Sequence, residues 1–266
     1  MISVITITYN NLSDLKETVN SVIKFSSLNG SLIKELVIVD NLSNDGTDSY
    51  VKKLNIPSIN LIYHRDSDVG VYDAMNKGVA LAKNDFVIFI NSGDLLVNSI
   101  DEKDIIDIYS IKYAGIAFSC LYSFNNKTKI IYPRNVNKKF PRLPGLHQGM
   151  LYKRKVLANI KYDLNFKICG DFDNVCRIYG SENNNIFLTN NKIISSLESG
   201  GISSLKPLKL YKESTGIVKN NNNVPVFLKL IFYLRLFIRL LIFQLYFRIN
   251  QLLSNKWCLR ILNIFA

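Results

Sequence analysis

Between Ile2 and Ile90 two apolar patterns take turns, and that alternation limits the folds open to the chain. Ile2–Thr8 is alternating and β-branched, a strand buried on at least one face, closed by Tyr9-Asn10. Leu15, Val19 and Val22/Ile23 follow at helical spacing, with Asn11 or Ser13 placed to cap the helix. Residues 36–39 form a second apolar strand ending in Asp40, and residues 41–47 (NLSNDGT) are turn chemistry. A short helix around Tyr50, Val51 and Leu54, a strand over 60–63, a helix over 74–82 and a strand over 86–90 complete the series. Strands alternating with helices predict an α/β fold with a mainly parallel sheet and right-handed crossovers.

Two of these strands end in a carboxylate, Asp40 and Asp94, which a parallel sheet places on one edge, with Asp68 between them. Either Asp alone is as readily a turn residue as a functional one. The three together favour function, because ligands of open α/β sheets bind outside the carboxyl ends of the strands. The strand at 86–90 stops abruptly in Asn91-Ser92-Gly93-Asp94, small polar residues and an acid at such an end.

Beyond residue 120 the signals are sparser. Residues 121–141 read as a basic hairpin and loop. His147-Gln148 interrupts an apolar run, and a lone His in such a run is more often structural than catalytic. Residues 170–179 (GDFDNVCRIY) read as a helix start where Asp171 or Asp173 is either a cap or a general base. Residues 198–203 (ESGGIS) form a loop, linker or lid.

Composition matters most at the C-terminus. The net charge is +12, yet residues 201–266 carry ten Lys or Arg and one acid, Glu213, so this quarter holds +9. After the polar run 219–225, residues 227–266 are rich in Leu, Ile, Phe and Tyr, with Lys229, Arg235, Arg239, Arg248, Lys256 and Arg260 interspersed and no acid. The longest stretch without Lys or Arg is 240–247, far short of the roughly 18 apolar residues a spanning helix needs. An interfacial helix pair on an anionic membrane surface is predicted, with packing on the main domain or a partner as the alternative. The predicted organisation is a domain over 1–210, a linker over 211–224 and a membrane-associating segment over 225–266. Cys120, Cys169, Cys176 and Cys258 have no metal-like spacing and are expected as reduced thiols. No secretion signal follows Met1, and a nucleic-acid partner is not expected.

The usual dinucleotide, P-loop and nucleophile-elbow signatures are missing. Carboxylates at strand ends suit Mg²⁺ or Mn²⁺ shared with a diphosphate, and a separate carboxylate suits deprotonation of a hydroxyl. Four segments in order, VITITYN, ELVIVDNLSNDGT, DVGVYDAMNKGVALAKNDFVIFINSGD and GDFDNVCR, resemble the family 2 glycosyltransferases of GT-A fold. The likeness covers about residues 1–205 and is nearest to bacterial enzymes that build O-antigen, capsule or colanic-acid-type units.

That resemblance implies a nucleotide-diphospho-sugar transferase fold and an inverting transfer, from a UDP-sugar as the leading donor to a lipid-diphosphate-linked saccharide. The enzyme is then expected on the cytoplasmic face of the plasma membrane. Transfer to a polyprenyl phosphate, or a non-catalytic nucleotide-sugar-binding scaffold, are the alternatives. By resemblance Thr8, Tyr9 and Asn10 line the nucleotide pocket, Asp40 binds base or ribose, and Asp68 adds a nucleoside contact. Asn76, with Lys77 beside it, lies near the donor. The Asp-x-Asp metal motif falls on Asn91-Ser92-Gly93, which leaves Asp94 as the metal-binding acid. Asp171 matches the general base, and the Glu that often precedes it is Gly170 here. His147, Gln148 and Gly201 are expected near the diphosphate or acceptor.

Overall fold

The computed structural model describes residues 1–109, 113–124, 127–136, 142–181, 186–198 and 206–252. The chain divides into two units, Met1–Ser199 and Gly200–Ala266. The first unit begins with β1 (Ile2–Thr8), α1 (Leu12–Ser26), β2 (Ile33–Asp40), α2 (Thr47–Lys52), β3 (Asn60–Arg65), α3 (Val71–Leu81) and β4 (Phe86–Phe89). It continues with β5 (Leu95–Leu96), α4 (Glu102–Ile105), β6 (Tyr113–Phe124) and β7 (Lys127–Ile131). A 3₁₀ turn at His147–Gly149, then β8 (Met150–Lys153), α5 (Arg154–Asn159), α6 (Gly170–Gly180) and β9 (Ile186–Glu198) complete it.

β3, β2, β1 and β4 lie side by side and parallel. Their near-continuous apolar sequences follow from burial on both faces. Ile2, Val4, Leu36, Ile38, Phe86 and Ile88 pack with Leu15, Val19 and Val22 of α1 on one face. Ile5, Val37, Val39, Val87 and Phe89 pack with Tyr72, Ala74, Met75 and Val79 of α3 on the other. Gly78 sets the distance of α3 from the sheet: a Cβ there would stand 2.5 Å from Ile5 Cγ2.

The other half of the sheet departs from the parallel expectation. β8 is antiparallel to both β4 and β6, while β9 is parallel to β6 and antiparallel to β5. β8 is entered directly from the 3₁₀ turn at the carboxyl edge of β4, without a helical crossover to return it to the other end, so it runs back down the sheet. β6 and β7 form the expected hairpin.

The second unit holds α7 (Pro207–Asn220) and α8 (Val226–Leu252). Residues 211–220, expected as linker, are therefore helical. Pro207 sits in the first turn, and Ser214, Ile217 and Val218 are buried at helical spacing, a signal the adjacent Asn run obscures. Only the segment after Asn220 turns, with Asn223 N–H donating to Asn221 Oδ1. The expected helix pair of the tail is one continuous helix as far as Leu252; residues 253–266 lie outside the described residues. Among the described residues no helix is long and apolar enough to cross a membrane.

Candidate active site

Three loops leave the carboxyl edges of β1, β2 and β3, and their polar side chains tie them to one another. Asn10, at a left-handed φ of 47°, donates its N–H to Ser43 Oγ (2.8 Å) and accepts from Asn44 N–H (2.9 Å). Asp45 Oδ2 accepts Leu12 N–H at 2.8 Å and so caps α1 from the neighbouring loop. Asn41 Oδ1 accepts Asp68 N–H at 3.0 Å. The rim is thereby fixed by side-chain-to-backbone bonds. Tyr9 stands out of it 61% exposed, an aromatic face at the end of the central strand.

The β4 turn wraps over α1. Thr18 Oγ1 donates to Asp94 O (2.8 Å) and accepts Gly93 N–H (3.1 Å), while Ser92 Oγ donates to Asn11 O (3.1 Å). Gly93 has φ 99°, and Asp14 Oδ2 lies 3.4 Å from where its Cβ would be. A carboxylate from α1 therefore stands beside the glycine that occupies the second acidic position of the family motif. Asp94 accepts Gln148 Nε2 at 3.1 Å, and burial pushes its pKa up to about 6. Asn91 Oδ1, in the same turn, is buried with no hydrogen-bond partner among the described residues. A carboxylate and an orphaned amide oxygen are hard donors that suit Mg²⁺ or Mn²⁺ sharing its remaining positions with a diphosphate. The described residues contain no group of three His, Cys, Asp or Glu able to hold a metal unaided.

Asp171 opens α6 and faces the start of α3. Its Oδ1 accepts Phe172 N–H at 2.8 Å and lies 3.4 Å from Tyr72 Oη. Tyr72 is in the first turn of α3, so Asp171 stands on the same carboxyl edge as the rim. Burial raises its pKa to about 6, against the backbone and phenol hydrogen bonds that lower it. A carboxylate at this value is ionised at neutral pH and still basic enough to take a proton.

Several expected residues have other work. Asp40 is wholly buried: Oδ1 accepts Ser43 N–H (3.0 Å), and Oδ2 accepts Tyr63 O–H (2.9 Å) and pairs with Arg65 Nε (3.5 Å). With these three partners it organises the rim. Asn76 spends its amide on the main chain of Tyr162, donating to the carbonyl (3.0 Å) and accepting the N–H (2.9 Å). Lys77 pairs with Asp66 (3.1 Å) and donates to Ser67 O, holding the loop that precedes Asp68. Asp68 accepts Gly70 N–H at 2.9 Å, and burial raises its pKa. Thr8 Oγ1 is buried with no hydrogen-bond partner among the described residues. His147 stacks on Phe89 with ring centroids 4.9 Å apart, and burial lowers its pKa to about 4, so it offers a neutral ring and no positive charge to a diphosphate. Both its nitrogens are buried and unpaired among the described residues. Gly201 lies outside the described residues.

The sequence reading missed Asn41, Ser43, Asp45 and Asp14 as rim residues and Tyr72 as the neighbour of Asp171. The run NLSNDGT carried the first three, since Asn, Ser and Asp favour exactly such side-chain-to-backbone bonds. Asp14 and Tyr72 carried no signal, because what they touch is far away in the chain.

A family model described as glycosyl transferase family 2 matches residues 3–170, ending one residue before Asp171. A PGL/p-HBAD biosynthesis glycosyltransferase of Mycobacterium tuberculosis is 29% identical over 153 residues, which is 52% of this chain and 56% of that protein. The chain thus matches little more than half the length of this curated relative. Among solved structures, S. aureus TarS 1–349 in complex with UDP superposes with a TM-score of 0.61 at 20% identity, over 83% of this chain and 66% of that one. The mannosyltransferase PcManGT from Pyrobaculum calidifontis, in complex with GDP-Man and Mn²⁺, gives 0.58 at 14% identity, over 81% and 62%. Likeness at these identities speaks for the fold, and it bears out the GT-A architecture.

Proposed function

The chain belongs to glycosyl transferase family 2, and from that membership we propose that it transfers a sugar from a nucleoside diphosphate to a hydroxyl with inversion at the anomeric carbon. The observation that carries the reading is Asp171: a half-buried carboxylate with its pKa near 6, on the same sheet edge as Asp94 and the laced rim. Asp171 takes the proton of the acceptor hydroxyl as that oxygen attacks the anomeric carbon. The bond from that carbon to the diphosphate oxygen breaks, and the leaving group keeps the electron pair. One displacement inverts the centre and needs no covalent enzyme intermediate. Asp94 and Asn91 would hold the divalent cation, which when bound offsets the charge gathering on the leaving diphosphate. Neighbouring structures with UDP, and with Mn²⁺ and GDP-Man, support a nucleotide-sugar donor and a divalent metal, and a UDP-sugar is the leading candidate. Tyr9 offers its exposed ring to the nucleobase.

A lipid-diphosphate-linked saccharide as acceptor, at the cytoplasmic face of the plasma membrane, is supported by α8. Among the described residues its exposed apolar side chains are Val226, Phe227, Leu230, Leu234, Phe237, Ile238 and Leu241. At 100° per residue they fall in one sector about 120° wide, with Arg235 beyond one edge. An apolar stripe on an acid-free basic helix matches an anionic membrane surface. The test is product stereochemistry. An α-linked donor is expected to give a β-glycoside by NMR; a retained configuration would refute the single displacement. Turnover is expected to fall below about pH 6, as Asp171 gains a proton.

A further inference from the structure

Gly170 and Tyr72 are complementary in shape. A Cβ at Gly170 would stand 2.6 Å from Tyr72 Cε2 and 2.8 Å from its Cζ, so no side chain fits at 170 while the ring is in place. The ring is buried and held, stacked on Tyr162 with centroids 5.5 Å apart. Its hydroxyl donates to Ile168 O at 2.7 Å and lies 3.4 Å from Asp171 Oδ1. One phenolic proton thus faces two acceptors, a carbonyl within hydrogen-bond length and a carboxylate just beyond it. Rotation about the Cζ–Oη bond is all that separates them.

We propose that Tyr72 is the positioning residue of Asp171, turning its hydroxyl proton to the carboxylate when Asp171 is ionised and back to Ile168 O when Asp171 has taken the acceptor's proton. In the second state the phenol oxygen is free to accept the new carboxyl O–H. The pair steadies the base in both protonation states without a second acid at position 170. The inference rests on Asp171 being the general base.

Among the described residues two further phenols interact with Asp171, Tyr152 from β8 and Tyr162 from the segment before α6, both with pKa values raised chiefly by burial. Asp173 on α6 is paired with Arg177 at 2.7 Å. Asp94 titrates in the same range, but its shift comes from burial and from hydrogen bonds with Gln148 and the Asn91 backbone, not from Tyr72, so it is expected to be the same in a Tyr72 variant. A change in the acid limb caused by Tyr72 therefore reports on Asp171.

The experiment is the pH profile of kcat and of donor KM for the full chain, for Tyr72→Phe, Gly170→Ala and Asp171→Asn. Tyr72→Phe keeps the ring and removes one hydrogen bond to the ionised base. Its acid limb is expected to rise by about one pH unit, so that kcat falls about twofold near pH 7 and about tenfold near pH 5, with donor KM within about twofold. Gly170→Ala displaces the ring and is expected to move the limb the same way, which keeps the test open should Tyr72→Phe fail to fold. Wild-type limbs in the folded variants, or a change in KM alone, would overturn the proposal while Asp171→Asn stays inactive. Acceptor-dependent turnover surviving in Asp171→Asn would overturn the base assignment, and this proposal with it.

Discussion

Replacing Asp171 by Asn is expected to stabilise the protein while abolishing its turnover, because the carboxylate is held where ionisation is unfavourable. The pKa rises from 3.8 to about 6 on folding, with burial as the largest cause. The folded chain therefore takes up a proton as it forms between about pH 4 and pH 6, and ionisation above that window weighs against folding. A rise of about two pH units corresponds to at most ~3 kcal/mol at neutral pH. Partial exposure of the residue reduces this to about 1–3 kcal/mol. Asn preserves the shape, and its Oδ1 still accepts Phe172 N–H. For a domain of this size ~1 kcal/mol is worth about 2–4 °C, so melting at about pH 8 is expected to rise by ~2–12 °C. Near pH 4 most of the advantage is expected to be gone, since Asp171 is then protonated when folded and about 40% protonated when unfolded. The assay is thermal unfolding of both proteins across that range in one buffer series. A variant no more stable than wild type at pH 8, or one whose advantage does not change with pH, would refute the reasoning.

Three further outcomes follow from other contacts. Gly78→Ala forces a Cβ against Ile5 and is expected to cost about 1–3 kcal/mol in chemical denaturation, less when Ile5→Ala is also present; additive losses would show that α3 does not rest on Ile5 there. Asp40→Asn disturbs three partners of a buried carboxylate and is expected to lower stability by about 2–4 kcal/mol while leaving nucleotide affinity within about tenfold at low temperature. Unchanged melting with nucleotide binding lost would instead place that carboxylate on the nucleotide. Leu230→Asp with Leu234→Asp in the full chain is expected to release the protein from anionic vesicles in co-sedimentation with nucleotide binding unchanged, and retention on vesicles would refute the membrane role of α8.

The parallel half of the sheet was legible because β1, β2 and β4 are apolar runs rich in Val and Ile, separated by helically spaced apolar residues. The antiparallel half was not: β8 is four residues long, and its direction depends on a turn at His147–Gly149 rather than on its own pattern. Asp171 and Asp94 were legible as acids at element ends. What sequence spacing hides is whether an acid at such an end is open or already engaged. Asp40 and Asp94 both follow apolar strands, yet Tyr63 and Arg65 from β3 occupy Asp40, and Gln148 reaches Asp94. Asn76 likewise looks like a donor contact until Tyr162, a distant residue, takes both ends of its amide. Gly170 reads as a lost acid in the sequence. In the fold it is the space that the ring of Tyr72 requires.

Nucleoside diphosphate release by the purified protein tests the transfer most directly. UDP-, GDP- and dTDP-sugars are offered with Mn²⁺ or Mg²⁺, with and without a synthetic lipid-diphosphate-linked saccharide, alongside Asp171→Asn. The expected result is release from one donor that depends on the acceptor and disappears in the variant. Tight nucleotide-sugar binding with no release under any of these conditions, or equal release by Asp171→Asn, would contradict it.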